Sequence, residues 1–246
     1  MTGLPPKVEA ERGPLPGDAV SHGLAVLSTL VHYNLWIFDS VRERLGPTIV
    51  EVGAGLGNIT QFLLNAERLV CLEPFEPYRR YLASRFAKHL NVSVYPYPIE
   101  DCPNGDVPAG SVDSVVCLNV LEHISDDVEA LRRMGQLLRP GGSVVVLAPA
   151  LPCLHGAMDR AIGHFRRYTR SSLRRAFHAA GLSATRGRYM NLAGVLGWWW
   201  ESRARKRTRV RPFAARAFDR LVPTLSALER LFPVPAGQSV IMVGRA

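Results

Sequence analysis

The chain has 246 residues, 47% of them hydrophobic, with four cysteines and a formal net charge of +9. That length buries one sizeable core and argues against two ordinary domains, and no apolar run approaches the roughly 20 residues that span a bilayer. The charge admits nucleic acid, an acidic surface or an arginine-rich solvated face, and much of the excess falls between Arg203 and Arg216.

Residues 1–20 carry Pro5, Pro6, Pro14 and Pro16 among charges and read as a flexible tail, with neither a signal-peptide core nor a helical pattern. Residues 21–246 read as a single α/β domain. An amphipathic helical segment over 21–45, with Tyr33 and Trp36, comes first. Strands are then expected at Thr48–Val52, Arg68–Leu72, Val92–Tyr95, Ser114–Leu118, Ser143–Ala148, Ser183–Tyr189 and Ser239–Val243. Helical patterns between them predict parallel strands joined by crossovers.

Asp126 with Glu129 makes a capping pair for a helix whose face is Val128, Leu131, Met134 and Leu138, ended by Pro140-Gly141-Gly142. A second helix starts near Thr169, buries Leu173 and Phe177, and stops at Gly181. The stretch 191–235 reads as a helical insertion broken by Pro212 and Pro223. Met190, Leu192, Leu196 and Trp198-Trp199-Trp200 are expected on its inner face, and Phe218, Leu221, Leu225, Leu228 and Leu231 at docking spacing. Segments 21–45 and 191–235 are both candidates to cover the carboxyl ends of the strands, where ligands of such sheets bind.

The strongest local signal is Ile49-Val50-Glu51-Val52-Gly53-Ala54-Gly55-Leu56-Gly57-Asn58, a strand and a glycine-rich turn expected to lead into a helix with Phe62 and Leu63. Glycine is needed where backbone turns sharply or approaches a ligand closely. The dinucleotide fingerprint would put its third glycine at 58, where this chain has Asn58, which disfavours a nicotinamide-dependent oxidoreductase. Glu51, just ahead of the glycines, would repel a pyrophosphate and suits a cationic group. Glu73 ends the second strand at about the spacing that takes a ribose diol. Ile99 and Glu100 end the third with an apolar face and a carboxylate suited to adenine and its amino group.

These segments, with Asn119-Val120-Leu121-Glu122-His123 and Leu138-Arg139-Pro140-Gly141-Gly142, together resemble the class I S-adenosylmethionine-dependent methyltransferases. The resemblance implies a doubly wound, mostly parallel seven-stranded sheet with its last strand antiparallel, and S-adenosyl-L-methionine as cofactor. It places Glu51, Gly53, Ala54, Gly55 and Asn119 around the methionyl end, Glu73 and Pro74 at the ribose, and Ile99 and Glu100 at adenine. Leu121-Glu122-His123 and Gly163-His164-Phe165-Arg166-Arg167-Tyr168 look like a branch acting on small molecules.

Methyl transfer from a sulfonium needs orientation and a dry site, and a base only when the acceptor keeps its proton at neutral pH. His123 and His164 are the candidate catalytic residues, each weighed against a purely structural role; Tyr33, Trp36, Arg166 and Tyr168 are candidate substrate contacts. The acceptor is expected to be a small molecule, anionic or hydrophobic, methylated on oxygen, nitrogen or carbon. No metal is expected, since no pair of histidines or cysteines has ligand spacing. Cys71 and Cys117 sit in apolar runs as reduced core thiols of a cytoplasmic protein. The competing readings are an RNA-modifying or nucleic-acid-binding methyltransferase, motivated by the basic stretch, and a non-catalytic cofactor-binding module.

Overall fold

The computed structural model describes residues 19–246. Of the tail expected over 1–20, residues 1–18 lie outside the described residues, and Ala19 and Val20 open the first helix. In chain order the elements are α1 (Ala19–Leu27), α2 (Val31–Val41), β1 (Thr48–Val52), β2 (Arg68–Leu72), α3 (Glu76–Arg85), β3 (Val92–Tyr95), β4 (Val112–Leu118), α4 (Asp127–Leu137), β5 (Leu138–Pro149), α5 (Ala157–Ala161), α6 (Arg170–Ala179), β6 (Ser183–Met190), α7 (Leu192–Trp198), α8 (Pro212–Leu231) and β7 (Ser239–Arg245).

The strands form one sheet in the order β3-β2-β1-β4-β5-β7-β6. β7 runs antiparallel between β5 and β6, and the pairs β3-β2, β2-β1, β1-β4 and β4-β5 are parallel. Strands covered on both faces read as continuous apolar runs. In β1, Val50 and Val52 pack into one core with Leu131, Met134, Leu173 and Phe177, beneath α4 and α6. Ile49 packs into the other with Ile37, Val41, Leu82 and Val222, beneath α2, α3 and α8. The direction of the crossovers reverses between β1 and β4, so a crevice opens beyond the carboxyl ends of these strands.

The Asp126 side chain accepts from the Glu129 amide at 2.9 Å, as the capping pair requires, and Thr169 and Ser172 exchange side-chain-to-backbone bonds at the start of α6. Gly181, at φ +81°, follows its last turn. Among the described residues no single helix is long and apolar enough to cross a membrane.

Five local expectations are corrected. The glycine turn leads only into a 3-10 turn at Thr60–Phe62, and Gly57 ahead of it packs closely against Phe86 and Leu82 of the next crossover. The segment 21–45 divides at Ser28–Leu30 into α1 and α2. β5 begins at Leu138, ahead of the Pro-Gly-Gly, so Leu138 belongs to the sheet. Pro212 starts α8, and Pro223 lies inside it without ending it. A proline interior to a helix removes one hydrogen bond, and tertiary packing offsets that loss here: Val222 is buried, and the Asp219 carboxylate accepts from the amides of His32 and Tyr33 at the start of α2. Lastly, α8 docks through Phe218, Asp219 and Val222, while Leu221, Leu228 and Leu231 are exposed, as are Leu192, Leu196, Trp199 and Trp200. The buried carboxylate of Asp219 sets the inward face, which a count of apolar spacing does not anticipate.

Candidate active site

At the end of β1 the chain turns through Gly53 (φ +67°), Ala54 and Gly55 (φ +56°). A Cβ on Gly53 would come within 2.5 Å of Val120, whereas one on Gly55 would make only ordinary contacts, with Leu24 at 3.7 Å and the Gly53 carbonyl at 4.0 Å. Gly53 is therefore demanded by packing, and Gly55 keeps open the backbone surface that faces the crevice. The turn is pinned from β2: the Gly55 amide donates to Glu73 Oε2 at 2.7 Å and the Phe75 amide to Oε1 at 2.9 Å. Burial raises the Glu73 carboxyl above its ordinary pKa, against these two bonds.

Glu51, expected at the methionyl end, is buried in β1. Its carboxylate accepts from Thr60 Oγ1 at 2.6 Å behind the turn, with Cys71 Sγ at 3.9 Å, and burial raises its pKa to about 7. At the end of β3, Ile99 is buried, and Glu100 Oε2 is buried without a hydrogen-bond partner among the described residues. Asn119, just past β4, holds a positive φ of 56°.

Next to Asn119 a cavity of about 180 Å³ is lined on one side by Val20, Leu24 and Leu27 of α1 and by Met158, Ile162 and Trp198, and on the other by Glu122, His123, His164 and Arg167. The polar end is a buried cluster. His164 Nδ1 lies 2.9 Å from Asp159 Oδ1, Arg167 Nε donates to the same oxygen at 2.7 Å, and the guanidinium sits 4.7 Å from the centre of the Trp198 ring. The rings of His123 and His164 meet edge to face at 4.7 Å. Burial, then the neighbouring His164, lowers the His123 pKa to about 4, so its imidazole is neutral at neutral pH. Burial raises Glu122 to about 8.

A protein family described as "Methyltransferase domain" matches residues 25–186. The chain belongs to this family. With the sheet order and crevice above it is a class I S-adenosylmethionine-dependent methyltransferase, and S-adenosylmethionine is its cofactor. Similar curated proteins include a thiol S-methyltransferase of Homo sapiens, 30% identical over 112 residues, which are 44% of this chain and 46% of that protein. An uncharacterised methyltransferase of Bacillus mycoides is 30% identical over 117 residues, 46% of this chain and 52% of that one. The chain thus spans about half the length of the curated relatives it matches. A geranyl diphosphate methyltransferase solved with its cofactor superposes with a TM-score of 0.63 at 16% identity, covering 94% of this chain and 92% of that one. A methyltransferase from Aquifex aeolicus gives 0.55 at 15% identity, covering 68% and 92%. At such identities the likeness shows the fold.

In this methyltransferase the structure brings Asn119, His123, His164 and Tyr33 to one cavity, and joins Gly55 to Glu73 at the glycine turn. Three of the candidate acceptor contacts are not in the lining of this cavity. Trp36 is core, packed with Ile37 and Val41 on the far side of α2. The Tyr168 hydroxyl is buried and donates to Asp127 at 2.7 Å, and Arg166 pairs with Asp127 and with the Ser125 carbonyl. In the Arg166-Arg167 pair it is the second arginine that turns inward. Asp159 and Trp198 also belong to the site; an aspartate and two arginines flanking His164 were visible as a charged stretch, but nothing in it marked which charges are buried.

Proposed function

We propose that the chain transfers the methyl group of S-adenosylmethionine to the sulfur or oxygen of a small, largely apolar acceptor bound in the cavity beside Asn119. One observation carries this reading: an apolar cavity of about 180 Å³ ends on an unprotonated histidine next to the glycine-turn crevice. When bound, the cofactor supplies an electrophilic methyl group on a sulfonium that carries its own leaving group. Gly53, Ala54 and Gly55 offer the backbone surface for it. Glu73 takes the ribose hydroxyls on lone pairs that the two amides leave free, with Pro74 beside it, since a carboxylate offers about four acceptor positions. Ile99 supplies an apolar face for adenine, and the unpartnered Glu100 Oε2 accepts from the amino group. Asn119 flanks the methionyl end, and Glu51 supports the turn from behind.

A thiol or hydroxyl keeps its proton at neutral pH, and the neutral imidazole of His123 is placed to accept it. The name of the human relative, a thiol S-methyltransferase, supports sulfur. Arg167 is already paired with Asp159, which favours an uncharged acceptor over an anionic one. Arg203 donates to the His155 carbonyl and Arg207 pairs with Glu201, which supports a solvated basic face rather than a nucleic-acid surface. The four unpaired cysteines support a reducing compartment such as the cytoplasm.

The test is to follow S-adenosylhomocysteine release over a panel of small thiols, phenols, alcohols and amines. Turnover of an apolar thiol or hydroxyl compound is expected, falling about 10²- to 10⁴-fold in His123→Ala with cofactor affinity retained. Cofactor binding without turnover across the panel would leave a binding module and overturn the proposal.

A further inference from the structure

Glu122 is fully buried at the edge of the cavity, and neither of its carboxylate oxygens has a hydrogen-bond partner among the described residues. A buried carboxylate in that state is costly unless a cation or a donor satisfies it. The nearest group is His164 Nε2, 3.7 Å from Oε1. Because His164 Nδ1 is held by Asp159, that bond assigns the ring proton to Nδ1 and leaves the Nε2 lone pair facing Glu122. The third group is His123, and one ligand atom from each of Glu122, His123 and His164 lies within 4.8 Å of the other two. The cluster holds two carboxyl groups, Glu122 and Asp159, and one guanidinium, that of Arg167, which is bonded to Asp159 and leaves Glu122 without a donor.

We propose that Glu122, His123 and His164 form a binding site for a divalent transition-metal ion such as zinc. Two imidazoles and a carboxylate are the donor set such ions take, and three protein ligands leave positions open toward the cavity. Around one ion with bonds of about 2.1 Å the ligand atoms sit about 3.5 Å apart; the Glu122–His164 pair, at 3.7 Å, is already near that spacing, and His123 lies within 4.8 Å of both. The Asp159 carboxylate behind His164 is the outer support that metal-bound histidines commonly have, and it is itself fixed by Arg167 and by the Gly156 amide at 2.9 Å. Magnesium and calcium, which prefer oxygen ligands, do not suit the set. An ammonium group of an acceptor would also satisfy the Glu122 oxygens, but it would use Glu122 alone and leave both histidine lone pairs without a role.

The 40 residues between His123 and His164 hide this site from any reading of ligand spacing along the chain. The inference rests on the cavity being the acceptor site, since the open positions would then receive the acceptor's sulfur or oxygen; with the ion bound, the His123 lone pair is taken, and the ion acidifies the acceptor in place of deprotonation by His123.

The experiment uses the full chain without a histidine tag, stripped with a chelator. Zinc is titrated by calorimetry, cobalt by its visible absorption, and S-adenosylmethionine separately. One equivalent of each metal is expected, with affinity lowered at least tenfold in the near-isosteric Glu122→Gln and in His164→Gln, while cofactor affinity is unchanged. The proposal is overturned if zinc binding is non-stoichiometric or indifferent to both substitutions in folded variants. It is equally overturned if the stripped protein binds an amine acceptor through Glu122 and no metal. Absence of turnover on every acceptor would defeat the proposed function and leave the metal titration readable.

Discussion

His164 Nδ1 and Asp159 Oδ1 lie 2.9 Å apart. Burial alone would raise the Asp159 carboxyl, but the His164 hydrogen bond and the Arg167 charge outweigh it and hold the group well below the ordinary carboxylate range. The aspartate thus stays ionised and fixes the imidazole's tautomer, with its second oxygen accepting from the Gly156 amide at 2.9 Å.

Removing this carboxylate strands a guanidinium whose side chain is 1% exposed. Asp159→Ala is therefore expected to lower unfolding stability by about 3–5 kcal/mol, the usual consequence of breaking a buried pair from one side. Urea unfolding midpoints measure it, and a loss below about 1 kcal/mol would show that solvent reaches Arg167.

Gly55→Ala should separate binding from folding. A side chain at φ +56° costs about 1–2 kcal/mol, and its Cβ meets no closer neighbour than 3.7 Å, so the variant folds. The methyl group occupies the surface left open toward the crevice, and calorimetry should show cofactor affinity reduced at least about tenfold. Unchanged affinity would move the cofactor off this turn.

Glu73→Ala is expected to weaken cofactor binding by about 1–3 kcal/mol, the scale of a hydrogen bond to a charged group. It also releases the Gly55 and Phe75 amides, so Glu73→Gln, which can still accept from them, isolates the ribose contribution. Equal affinities for all three proteins would remove Glu73 from the cofactor site.

Glu51 makes the stability of the cofactor-free protein pH-dependent. Its folded pKa, raised by burial from an ordinary 4.5 to about 7, means that the folded state retains a proton the unfolded chain has lost between those values. Its contribution is then fully present below pH 4.5 and is lost as pH rises through about 7. At most about 3 kcal/mol is at stake, since each pKa unit is about 1.4 kcal/mol. Glu51→Gln should flatten the decline in melting temperature across this window, and an identical slope in both proteins would show that the wild-type group titrates at its ordinary value.

The sequence by itself determined the alternating elements, the antiparallel last strand by resemblance, the glycine turn with Glu73, and the caps at Asp126 and Thr169. Each depends on residues adjacent in the chain or one crossover apart, where periodicity and turn chemistry act locally. Only the tertiary structure decided which way Glu51 faces, that Trp36 and Tyr168 are core, that α8 continues through Pro223, and which arginine of the Arg166-Arg167 pair is buried. Those outcomes turn on partners contributed by distant elements. Asp219 pulls one face of α8 inward onto α2, and Asp159 draws Arg167 and His164 together against Trp198, across 39 residues of chain. The electrostatic cost of burying a carboxylate selects those partners, and the spacing of apolar residues carries no record of it.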